Sequence, residues 1–198
     1  MNKILPLYKA KIRDDVDGIQ IISLVDEPAV ESDFVAFASD KEPVSFKVED
    51  EEKRLIKGVV LRADYPIYRR SGDYEYNVVF EADTIRQMAE KFLKDGNQNN
   101  VDTDHNLHLV DGVHMQEFFI KDTENGVSPK GFEDVADGSL FAVYKVDNDL
   151  VWSDIKEGQF NGFSMYGYLS YEEAFSKEDD KDEQEVLELI NKIKNKLK

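Results

Sequence analysis

Six short segments rich in β-branched and aromatic residues confine this chain to a β-rich fold. They are "DGIQIISLVDEPAV", "LIKGVVLRADYPIY", "YEYNVVF", "VHMQEFFI", "SLFAVYKV" and "GFSMYGYLSYEEAF". Side chains on a strand alternate between faces, so each segment needs a neighbouring sheet or helix to cover its apolar side. Residues 55–68 and 74–80 read as a strand pair around the turn "RRSGD". One segment has a different period: "EADTIRQMAEKFLKDG" puts Ile85, Met88, Ala89 and Phe92 on one helical face, and Gly96 follows as a stop. "DLVWSDIKEGQ" reads as a shorter helix capped by Gly158. No internal repeat is visible. The core, about residues 16–175, is expected to be α+β: mostly antiparallel β with one or two helices.

Charge narrows the partners. The chain carries 25 basic and 42 acidic residues, a net −17, which argues against a surface that tracks nucleic acid or anionic membrane. It has no cysteine, so disulfides, thiolate metal sites and cysteine nucleophiles are excluded, and a reducing compartment is the natural fit. The opening "MNKILPLYKAKI" has too short an apolar run for a signal peptide, and no stretch approaches membrane-spanning length, so a soluble intracellular protein is expected.

Acid concentrates in "KVEDEE" (residues 47–52) and "SKEDDKDEQE" (176–185), both read as solvated linkers. Beyond the second, Val186, Ile190, Ile193 and Leu197 are spaced four, three, four, a two-heptad seam too short to be stable alone. The organisation expected is a domain over 1–175, an acidic linker over 176–185 and an amphipathic helix over 186–198 that pairs with something.

All three histidines fall within "VDTDHNLHLVDGVH". On a strand His105 and His108 face opposite ways, and His108 and His114 stand about 20 Å apart, too far to share an ion without a bend. Asp102 and Asp104 could add carboxylates, yet no established metal spacing appears, and neither metal nor cofactor is expected. His108 and His114 read as surface residues of a polar loop. His105, within "DTDHN", is the candidate general base, because flanking carboxylates raise imidazole basicity. "GQFNGFSMYGYLS" offers a nucleophile: Ser164 lies between Gly162 and Gly167, where small residues leave room for a substrate carbonyl and for backbone N–H groups to meet the oxyanion. The second glycine is one place later than in a GxSxG elbow, and a purely structural strand serine is the competing reading.

Three blocks together resemble the XkdF-like phage serine proteases. "LVWSDIKEGQFNGFSMYGYLS" is similar to their Trp, Lys, Gly, "GFS", Gly signature, "QIISLVDEPAV" to their N-terminal "SLVDEPA" segment, and "VDTDHN" stands in the place of their histidine motif. The likeness covers about residues 5–171. It implies kinship with prohead maturation proteases of the herpesvirus assemblin type: a mostly antiparallel β-barrel with peripheral helices and a Ser–His site. Carried over, Ser164 matches the nucleophile and His105 the base, with backbone N–H groups near residues 165–167 facing the oxyanion. The pattern departs at the third member. The relatives carry an acid at the start of an "EVSLV…PA" strand; here that text precedes the other motifs, as though permuted, and Ile21 takes the acid's place. Asp26 is the substitute, with Asp102 and Asp104 as rivals and a turn cap before Pro28 as its structural alternative.

The resemblance further implies cleavage of phage scaffold and major capsid protein inside an assembling procapsid in the host cytoplasm. It offers two routes to a homodimer, the barrel and the C-terminal helix. The competing reading is a catalytically inactive capsid-assembly or scaffolding module of the same fold, favoured by Ile21; a histidine-based metal-binding protein is a third.

Overall fold

A computed structural model of the chain describes residues 5–26 and 45–174. The acidic linker, the C-terminal helix and the turn at Pro28 lie outside the described residues. Period-two alternation organises the central strand. In β2 (Gly18–Val25), Ile22 and Leu24 are fully buried in the main core, while Ser23 takes the opposite face. On one edge β2 pairs antiparallel with β10 (Gly162–Tyr168), and on the other parallel with β7 (Val101–Thr103). This gives a three-stranded sheet in the order β10-β2-β7.

A second sheet runs β3-β4-β9-β8, all antiparallel: β3 (Lys47–Asp50), β4 (Leu55–Leu61), β8 (Val113–Ile120) and β9 (Leu140–Val146). A third runs β11-β1-β6-β5, from β1 (Leu7–Lys11), β5 (Ile67–Ser71), β6 (Tyr74–Val79) and β11 (Ser170–Glu173), with β1 and β6 parallel. Ile22, Leu24, Ile56, Tyr144 and Phe163 meet in one core, and the Phe163 ring stacks edge-on against Tyr144 at 5.5 Å.

Helix α1 (Ala82–Lys94) buries the face expected of it, Ile85, Met88, Ala89 and Phe92, and Gly96 adopts φ 78° just beyond its end. Helix α2 (Asp149–Lys156) is capped by Asn148, whose side chain accepts from the Leu150 and Val151 backbone N–H groups. It buries Val151, Trp152 and Ile155 and turns at Gly158 (φ 76°), so its anchoring fixes where β10 begins.

The structure corrects several expectations. Among the described residues the ladders form three open sheets, not one closed barrel. Two segments read as single strands also break and change sheet. Residues 55–68 divide at 62–66, around Pro66, into β4 and β5, and it is β5 that forms the hairpin with β6. The "GFSMYGYLSYEEAF" segment divides at Leu169 into β10 and β11. Part of the acidic stretch 47–52 is an exposed edge strand, β3, rather than linker. The ordered chain also starts earlier than residue 16, since β1 buries Ala10 completely.

Two details hold the ends of β10 and β2 together. At Gly167, beside a bulge, a Cβ would collide with the carbonyl oxygen of Gly18 and sit 2.9 Å from its carbon. That obstacle is backbone and cannot rotate away. Gly167→Ala is therefore expected to cost about 3 kcal/mol, the upper end of overpacking penalties, read as a lower denaturant midpoint.

Asp17, buried just before β2, is pulled two ways. Burial pushes its carboxyl pKa up, but hydrogen bonds from the Arg13 backbone N–H and the Ser170 side chain outweigh it and hold the group below the ordinary carboxylate value. A folded pKa below the unfolded one contributes stability above the unfolded value and loses it as pH falls through the folded one. In acid titrations of unfolding, Asp17→Asn should flatten the fall in stability below about pH 4 and leave the slope near neutrality unchanged.

Candidate active site

The register of the central sheet sets three polar side chains in a row. Ser164 on β10 is directly opposite Ser23 on β2, and Ser23 is directly opposite Asp102 on β7. Directly opposed residues share a face with Cβ atoms about 5 Å apart. All three are buried, at 3%, 0% and 0% exposure, so the row is an internal polar stripe. It exists because Ile22, Leu24, Val101 and Phe163 occupy the alternate positions and face the core.

His105 comes to this row from a loop. Its Nδ1 lies 2.9 Å from Ser23 Oγ. The loop gets there through an unusual backbone: Asp104, His105 and Leu107 have φ of 49°, 56° and 61°, the left-handed region that costs non-glycine residues energy. Hydrogen bonds hold it in place. The Asp104 N–H donates to Leu24 O, Leu107 N–H to Asp102 Oδ2 (2.8 Å), Asn106 N–H to Thr103 O, and Val110 N–H to Val101 O. Asp102 is thus the internal staple of the loop that carries the imidazole, and its other oxygen, Oδ1, is buried without a partner.

The fold brings Ser164 and His105 to the same three-stranded sheet, with Ser23 between them. His105 does not hydrogen-bond to Ser164, whose hydroxyl has no hydrogen-bond partner among the described residues. Asp26 follows the end of β2, is exposed, and accepts a hydrogen bond from Asn161 Nδ2 at 2.7 Å; Asn161 N–H in turn donates to Val25 O. Its bond therefore ties the turn after α2 to β2, and none reaches His105. Asp104 is exposed on the loop. His108 lies in the same loop with its backbone N–H on Asn106 Oδ1, and His114 is exposed on β8 opposite Lys145. Among the described residues no group of three or more His, Asp or Glu is arranged to hold a metal ion, and no helix is long and apolar enough to cross a membrane.

Ser23 is the residue that sequence reasoning left unassigned. Its signal was present: within "IISLV" it is the polar residue at the parity opposite to Ile22 and Leu24, in the same block that carried the resemblance.

Two serines and an aspartate set in a row on one sheet, with an imidazole bonded to the central serine, are residue types that serine acyl transfer uses. The chain belongs to the family described as "Putative phage serine protease XkdF", which matches residues 43–173. That range contains His105 and Ser164 and leaves β1 and β2, with Ser23 and Asp26, outside it. Among curated proteins, the chain is 29% identical over 164 residues to the "Phage-like element PBSX protein XkdF" of Bacillus subtilis (strain 168), covering 78% of this chain and 54% of that protein. It is 28% identical over 184 residues to the "Uncharacterized protein YqbD" of the same organism, covering 88% of this chain and 52% of that one. The chain thus spans about half the length of these relatives. No solved structure matches it.

Removing the staple tests the loop. Asp102→Ala leaves the Leu107 N–H without its acceptor, at a local cost of about 1–3 kcal/mol. Hydrogen exchange at the Leu107 amide should accelerate about tenfold or more, while amides in β4 and β9 keep their protection.

Proposed function

We propose that this chain is a serine endopeptidase of phage head assembly, which cuts scaffold and major capsid protein within the procapsid in the host cytoplasm. The observation that carries this reading is the placement of Ser164 beside the Ser23–His105 pair, within the stretch that matches a phage serine protease family. In this reading Ser164 is the nucleophile and His105 the base. The imidazole takes the Ser164 Oγ proton through Nε2 as Oγ bonds to the scissile carbonyl carbon. Backbone N–H groups near residues 165–167 stabilise the oxyanion. The imidazolium then gives its proton to the departing amine, and water, deprotonated by the same nitrogen, releases the acyl group and restores the serine.

Two further features support a peptide substrate. Among the described residues β10 has a ladder partner on one side only, which suits an extended peptide laid along its other edge next to Ser164. The net charge of −17 disfavours nucleic acid and anionic membrane as partners and suits a protein that works among scaffold before DNA enters. The finer architecture belongs to this reading as well: the three open sheets are proposed to be a permuted variant of the assemblin-like barrel, pairing with a second copy through its strands or its C-terminal helix.

A second reading, an inactive assembly module, is favoured by the missing hydrogen bond between Ser164 and His105 and by Ile21 where relatives carry an acid. Serine sites often tighten only when substrate binds, to about 2.6–3.2 Å between nucleophile and base, so the free geometry leaves the first reading in place. Mass spectrometry separates the two. Incubated with scaffold and capsid protein, the wild type should yield defined fragments, and Ser164→Ala and His105→Ala should each lower the yield by about a thousandfold or more. A correctly folded wild type that cuts neither substrate nor itself establishes the assembly module instead.

A further inference from the structure

We infer that Ser23 is the positioning residue of this site: its hydroxyl accepts the Nδ1 proton of His105 and holds the bare Nε2 toward Ser164. The inference rests on the reading of Ser164 and His105 as a serine peptidase pair. It fills the place left by Ile21, and fills it with a residue other than Asp26.

The chemistry requires the two ring nitrogens to be in different states. Nδ1 must carry the proton and Nε2 must be free to take one, so something must accept from Nδ1. Among the described residues, the only side chain bonded to the His105 ring is Ser23, at Nδ1 and 2.9 Å. Among the described residues none of the candidate carboxylates bonds to that ring: Asp26 holds Asn161, Asp102 Oδ2 accepts from the Leu107 N–H while its Oδ1 stays unpartnered, and Asp104 is exposed on the loop. Ser23 is also well suited to hold a ring still. It is fully buried on a strand paired along both edges, so its Oγ has little freedom, and the left-handed backbone at Asp104 and His105 delivers the imidazole onto it. The Asp102 carboxyl stands on the next strand in register with Ser23, on the side away from Ser164.

The same geometry argues against Ser23 as the nucleophile. Both serines are buried, but Ser23 is on a strand paired along both edges, whereas Ser164 is on the edge strand of the described sheet, the side from which a peptide carbonyl can approach. A nucleophile would also engage Nε2 in the usual arrangement, leaving Nδ1 for the orienting group.

Two measurements on the full chain test this without a known substrate. The first is ¹⁵N NMR of the imidazoles, assigned with His108→Gln and His114→Gln. Neutral His105 should carry its proton on Nδ1, and Ser23→Ala should release it toward the Nε2-protonated form that free imidazole side chains prefer. The second is the rate of labelling by a fluorophosphonate, mapped by mass spectrometry. The label should fall on Ser164, slow by about ten- to a hundredfold in Ser23→Ala, and recover most of that rate in Ser23→Thr, which keeps a hydroxyl. Thermal melting checks that the variants are folded.

Equal labelling of Ser164 in wild type and Ser23→Ala, or a wild-type His105 protonated on Nε2, overturns the positioning role and leaves the peptidase reading standing. Label on Ser23 overturns it by making Ser23 the nucleophile. No label on either serine of the folded wild type overturns the peptidase reading, and the positioning role with it.

Discussion

Strand β2 is hydrogen-bonded along both edges, and the rest of the molecule is arranged around that fact. One parity of its residues, Ile22 and Leu24, enters the core beneath α1 and against β10; the other carries Ser23. Over Ile22–Leu24 its backbone groups are engaged on both edges, so the ladder places its neighbours there, while the Asn97 and Asn100 side chains hold the Ile19 and Gln20 carbonyls nearer its start. The ladder puts Ser164 on one side of Ser23 and Asp102 on the other. The histidine loop then springs from β7 with its course set by backbone bonds to β2 and by the Asp102 carboxylate. Remove the double pairing and neither the polar row nor the seat for His105 exists.

Much of this was legible in the sequence where a single period ran unbroken. "TIRQMAEKF" shows its buried face in the spacing of Ile85, Met88, Ala89 and Phe92, and the structure buries those four side chains. β8 and β9 coincide closely with "VHMQEFFI" and "SLFAVYKV". What escaped was decided by pairing. Composition cannot show that residues 62–66 interrupt a strand and send its continuation to another sheet, because "LIKGVVLRADYPIY" has β-type residues on both sides of the break. Nor does acidity reveal that Lys47–Asp50 is a strand: its side chains are mostly exposed, so solvated charge and edge pairing coexist there. β7 is three residues long, too short to announce itself by alternation.

The candidate site divides the same way. Ser164 and His105 were legible through residue type and motif. Ser23 was not singled out, because a serine within "IISLV" is inconspicuous until its neighbours across the sheet are known. Asp26 had the right charge and lay near the right strand. Its side chain, however, is three residues beyond Ser23 and beyond the end of the ladder, where the turn after α2 supplies Asn161 as its partner. A carboxylate near a site in sequence is a weak guide when the strand it follows runs past the site.

The row Ser164–Ser23–Asp102 has a consequence for how the chain folds. Because side chains on β2 alternate, a slip of one residue against β10 or β7 would turn Ser23 into the core and bring Ile22 or Leu24 to the face where His105 sits. The same error would put a hydroxyl among Tyr144, Phe163 and their neighbours and dismantle the seat of the imidazole. Correct packing and the Ser23–His105 contact are thus one event in this sheet, and a mispaired copy would lose both. The strand acts as its own proofreader: a chain that has not found its register lacks the seat of His105 as well as its core.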